Sequence, residues 1–105
     1  MGKKLKKTIN YEDHLVVRLK KDPDEREAFL RLALETYRED RNLRELLNCL
    51  RLVIKALGWC NVAEKAGVTR QCLYKSFSKN GDPKLSTLQS VLGALGYQLW
   101  WIENK

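Results

Sequence analysis

Apolar residues recur at helical spacing along most of this chain. Between 11 and 21, Leu15, Val16 and Leu19 lie on one face and predict a short amphipathic helix. Asp22-Pro23 then reads as a helix cap and first helical position. Asp24, Glu25 and Glu27 load the following turn with the negative charge that a helix N-terminus favours. That helix should carry Phe29, Leu30, Leu32, Ala33, Leu34 and Tyr37. A third, from about 40 to 57, has the stripe Leu43, Leu46, Leu47, Leu50, Val53, Ile54 and Leu57, and Gly58 closes it. Two short helices are expected at about 60–66 and 70–78, then a loop over 78–83. Ser86 is expected to cap a last helix with Leu88, Val91, Leu92 and Leu95, which Gly96 ends. Both prolines, Pro23 and Pro83, follow an aspartate and punctuate the fold, because the residue before proline is pushed out of the helical region.

The pattern changes at the end. Tyr97-Gln98-Leu99-Trp100-Trp101-Ile102 favours a strand. In it Leu99 and Trp101 would face one way, Trp100 and Ile102 the other. An outermost strand apolar on both faces calls for a partner, so these four residues are candidates for dimerisation. Alternatively, the indoles cover the chain's own core. The expected fold class is all-α, a compact bundle of about five to six helices with a short C-terminal β-strand. One domain should span 11–105, with N-terminal helices over 11–57, a core over 58–96 and a tail over 97–105. A basic arm, 1–10, is expected to be disordered.

Composition narrows the class. With 105 residues, 44% apolar and 31% charged, the chain suits one globular core. No run approaches the roughly 18 apolar residues of a membrane span, and the basic start leads into no apolar segment. A cytoplasmic location is therefore expected. The net charge of +7 is unevenly placed. Lys3, Lys4, Lys6 and Lys7 lie in the arm, residues 8–57 balance, and a second excess gathers at Lys65, Arg70, Lys75, Lys79 and Lys84. That cluster suits a polyanion. Cys49, Cys60 and Cys72 have no metal-ligand spacing, and the single histidine, His14, is distant. They are expected to be reduced, buried, small apolar side chains. Neither a metal nor another cofactor is expected.

Residues 61–77, NVAEKAGVTRQCLYKSF, carry the sharpest signal. A helix-turn-helix needs a small residue where two helices cross, and Ala63 supplies it. It needs a cheap left-handed turn residue, Gly67, and a cap for the second helix, Thr69. Val62, Ala66, Val68, Leu73 and Phe77 fall where they would lock the pair to the core. Arg70, Gln71, Tyr74 and Lys75 remain on the face and end that would enter a major groove.

From about Tyr11 to Gln98 the chain resembles the small Cro/repressor-type (XRE) antitoxins known as addiction-module antidote proteins, and is similar to the Hig-type antitoxins. The resemblance rests on Ala56-Leu57-Gly58, Gly67-Val68-Thr69-Arg70, Leu73-Tyr74-Lys75 and Gly81-Asp82-Pro83-Lys84-Leu85-Ser86-Thr87-Leu88. The chain departs from the family's Thr-Gln with Cys60-Asn61, so the usual threonine cap is missing. It also has Ser76 where a branched apolar residue is common, with Phe77 beside it to fill the gap. The resemblance implies a lambda-repressor-like fold, operator binding, repression of the chain's own operon and neutralisation of a cognate toxin, a RelE- or HigB-like ribonuclease.

The motif's register assigns expected roles. Arg70, Gln71 and Lys75 read base edges, Arg suiting guanine and Gln adenine. Asn61, Thr69, Tyr74, Lys79, Asn80 and Lys84 contact phosphates. Such domains pair on two half-sites about 34 Å apart, so a homodimer on double-stranded DNA is expected, with no membrane partner. Residues 11–57 are the candidate toxin-facing part. Two other readings stay open: a free-standing prophage or plasmid repressor without a toxin, and a protein-interaction adapter. Catalysis is not expected, since no nucleophile–base pair, metal set or phosphate-cradling loop is visible. Glu12, Asp13, Glu25 and Glu27 read as cap and surface charges.

Overall fold

The computed structural model describes residues 2–78 and 80–96, with side chains described from residue 12 onward. Six helices follow in order: α1 (Gly2–Lys21), α2 (Pro23–Asp40), α3 (Leu43–Leu57), α4 (Trp59–Ala66), α5 (Arg70–Ser76) and α6 (Leu85–Ala94). No strand occurs among the described residues, and the strand expected over 97–102 lies outside them. The first helix differs from expectation. It starts at Gly2, so residues 2–10, expected as a disordered arm, belong to α1. No proline interrupts this stretch, and lysine is a good helix former, so nothing local stops the helix before Tyr11.

Local chemistry explains the breaks. Asp22 Oδ1 accepts from the Asp24 and Glu25 amides at 3.1 and 3.3 Å, and Pro23 stands in the first turn as expected. α2 ends with Arg41 in the left-handed region (φ 56°), its amide donating to the Tyr37 carbonyl. Asn42 then caps α3 by accepting from the Glu45 amide at 3.1 Å, two residues later than the expected start. At Gly58 (φ 101°) the chain bends by 106° between α3 and α4. One glycine both closes α3 and opens α4, and no side chain caps α4, in keeping with the missing threonine. α6 is capped by the backbone at Lys84 and not by Ser86, which lies inside the helix.

α3 is the central element. It packs on α1, α2 and α4, while α4 also packs on α5 and α6. A single apolar cluster runs from Leu30 and Leu34 of α2, through Leu46, Leu50 and Ile54 of α3, to Val62, Leu73, Phe77, Val91 and Leu92. A radius of gyration of 13.9 Å is close to the roughly 13 Å expected for a compact chain of this length. The cysteine expectation fails: Cys49 is half-buried, and Cys60 and Cys72 are exposed. α4 and α5 are short, and each turns only one stripe inward (Val62 and Ala63; Leu73), so positions 60 and 72 are left outside. Among the described residues no single helix is long and apolar enough to cross a membrane.

Candidate functional site

The α4–turn–α5 unit is built from the residues that the sequence pattern singled out. Gly67 adopts a left-handed conformation (φ 75°). Its amide donates to the Glu64 carbonyl at 3.3 Å, and the Val68 amide donates to the Ala63 carbonyl at 3.0 Å. These two bonds form a Schellman motif, which satisfies the last carbonyls of α4 while reversing the chain. Thr69 is extended, and its Oγ1 accepts from the Cys72 amide at 3.0 Å, capping α5. Val62, Ala63, Leu73 and Phe77 are buried and hold the pair on the core, while Ala66 and Val68 are half-buried against it.

α5 leaves Arg70, Gln71, Tyr74 and Lys75 exposed. Arg70 with Tyr74, and Gln71 with Lys75, stand four residues apart, so the four share one side of the helix. Arg70, Gln71 and Lys75 make no side-chain hydrogen bond or ion pair among the described residues, and all three are exposed. Tyr74 is 58% exposed, yet its ring meets Trp59 edge-on at 5.0 Å between centroids. Trp59 thus fixes Tyr74 across the α4–α5 crossing, a role absent from the sequence-level assignment. Its signal was a large aromatic directly after the Gly58 break.

The loop after α5 is tied down. Ser78 Oγ donates to the Lys75 carbonyl at 3.1 Å, and the Gly81 amide donates to the Ser78 carbonyl at 2.9 Å. Gly81 is buried, and a Cβ there would fall 2.2 Å from the Ser76 carbonyl oxygen. Only glycine fits that approach. Arg44 of α3 reaches the Gly81 carbonyl at 3.4 Å and joins the loop to the central helix. Asn80 and Lys84 are exposed on this side. Asn61 is exposed on α4, with its amide donating to the Leu57 carbonyl at 3.4 Å. Lys79, Leu99, Trp100, Trp101 and Ile102 lie outside the described residues.

Among the described residues no group of three His, Cys, Asp or Glu side chains is placed to hold a metal ion. The Cys49 thiol is pushed up from its ordinary pKa, first by burial and then by the neighbouring Glu45 carboxylate.

These features define a small, basic, all-helical protein that presents one short, capped, polar helix. The family model described as "Probable addiction module antidote protein" matches residues 19–103, and the chain belongs to that family. An uncharacterized protein of Haemophilus influenzae (strain Rd) is 31% identical over 72 residues, covering 69% of this chain and 74% of that relative. No solved structure matches. Membership places the chain among addiction-module antidotes, which in general terms implies a toxin partner.

Proposed function

We propose that the chain is the antitoxin of a type II toxin–antitoxin module, of the Cro/repressor (XRE, Hig-type) kind. In this reading it neutralises a co-encoded toxin, a RelE- or HigB-like ribonuclease, and represses its own operon in the cytoplasm. α4 and α5 act as a helix-turn-helix with a lambda-repressor-like arrangement, and α5 enters the major groove. The observation that carries this is the Schellman turn and Thr69 cap, which hold a helix on which Arg70, Gln71 and Lys75 are all exposed. Arg70 and Gln71 lead the helix into the groove, where bidentate contacts to guanine and adenine edges suit them. Lys75 reads one turn further on. Asn61, Thr69, Tyr74, Lys79, Asn80 and Lys84 grip the flanking phosphates and set the register.

In this reading the chain is one domain from α1 onward, with 11–57 facing the toxin, 58–96 facing DNA, and the 97–105 tail pairing two copies through Leu99, Trp100, Trp101 and Ile102. Family membership favours this over a free-standing repressor or an adapter, neither of which requires a toxin.

Two experiments test the reading. Footprinting of the DNA upstream of the gene should protect two half-sites about one helical turn apart. Expression of the adjacent small gene should arrest growth, and co-expression of this chain should restore it. An unprotected upstream region would remove the repressor role, and an adjacent gene without toxicity would remove the antitoxin role.

A further inference from the structure

α2 carries Leu32 off its buried stripe. Leu30, Ala33 and Leu34 face the core, whereas Leu32 is 63% exposed. On one side of Leu32 lies a groove of about 150 Å³ between α2 and α3, floored by Phe29, Tyr37, Leu46 and Cys49. A space of about that size accepts one benzene-sized group. Among the described residues its lining includes the carboxylates of Asp40 and Glu45 and no lysine or arginine. On the other side of Leu32 is a shallower depression with Asp24, Glu27 and Glu35 around it and Arg31 as the only cation among the described residues that line it. Arg31 is engaged with Glu27 at 3.6 Å. Arg41, at the groove's margin, stands 6.0 Å from the Tyr37 ring centroid and donates to the Arg38 carbonyl.

This surface has an apolar centre and an acidic border, while the α5 side carries the exposed cations Arg70, Lys75 and Lys84. An apolar centre within a polar rim is how protein partners are recognised, with one buried anchor supplying much of the affinity. The border selects for positive charge around that anchor. We propose that the α2–α3 groove is the toxin-docking site, and that it takes one aromatic or leucine side chain carried on a basic segment of the toxin. This rests on the antitoxin reading above.

The test uses the full chain and the purified product of the adjacent gene, with affinity measured by calorimetry. Thr36→Trp fills the groove from its exposed rim, and Glu45→Lys reverses the border charge. Each should weaken binding about tenfold or more. Neither should change the affinity for upstream DNA, because both positions are exposed and line the α2–α3 groove. Thr36→Trp should also keep the wild-type Tm, whereas Glu45→Lys places a cation in the first turn of α3 and should lower Tm slightly without unfolding the chain. In a Cys60→Ser, Cys72→Ser background, N-ethylmaleimide should label Cys49 more slowly when the partner is bound. Wild-type affinity in both variants, or unchanged Cys49 labelling in the complex, would overturn the groove assignment while leaving the antitoxin reading intact. Failure of the unaltered chain to bind the adjacent product would instead overturn the antitoxin reading and the groove with it.

Discussion

Arg70 and Gln71 open α5 immediately after the capping Thr69 and are exposed, while Lys84 lies beyond the loop that Gly81 pins. The two kinds of cation should behave differently. If the proposed base contact holds, Arg70→Ala should cost about 1–3 kcal/mol on operator DNA and relax sequence preference at one base pair. Lys84→Ala should weaken specific and random duplexes alike and lower the salt slope by about 0.9. Competition binding against both duplexes checks the pair, and equal loss on both duplexes for Arg70→Ala would refute its role as a reader. Gly81→Ala makes a separate prediction, since the added methyl meets the Ser76 and Lys75 carbonyl oxygens at 2.2 and 2.5 Å. A loss of about 1–3 kcal/mol in urea unfolding is expected, the usual range for overpacking. At Cys49, burial and Glu45 disfavour the thiolate. Because a raised thiol pKa keeps the reactive anion scarce until higher pH, maleimide at neutral pH should modify Cys60 and Cys72 first, as peptide mass spectrometry can show.

At the scale of elements, α5 is only seven residues long and depends on its neighbours. A helix so short cannot sustain itself, because nucleation is unfavourable and few hydrogen bonds follow it. Thr69→Ala should therefore cost about 1 kcal/mol of stability, read by thermal or urea unfolding, and should loosen the helix that carries Arg70. The turn was legible in the sequence because Gly67 meets a left-handed backbone requirement and Thr69 supplies a side-chain acceptor for a helix cap, and few residue types do either. So was the Asp22-Pro23 break, for the same reason. What was hidden followed from long-range packing. Gly58 was seen as an end, but its second use as the start of α4 depends on the 106° bend. Ser86 matched a cap by type, yet the backbone at Lys84 opens α6 two residues earlier. Cys60 and Cys72 were expected inside because cysteine is often buried, but residue type alone does not reveal which face of a two-turn helix is covered. Leu32 was counted with its stripe, although its position in the helical register sets it apart, and the groove beside it is visible only once α3 is in place.

Taken whole, the molecule separates its charges. Residues 8–57 balance in charge and contain the acidic-bordered groove, while the cations gather at the start of α1, on α5 and in the loop that follows it. This division suits a protein that holds DNA with one end and a basic partner with the other. Pairing through the tail belongs to this scale too. A Trp100→Asp, Ile102→Asp double variant should elute as a monomer in gel filtration and lose most operator affinity, whereas an unchanged dimer would exclude the tail as the interface. DNA recognition is the central claim, and the most direct test of it is binding to the chain's own upstream DNA, titrated against salt beside a scrambled duplex. Tighter binding to the upstream sequence is expected, with log K falling by about 0.9 per phosphate neutralised as log salt rises. Equal and weak binding to both duplexes would contradict it, leaving the charge of α5 without a sequence to read.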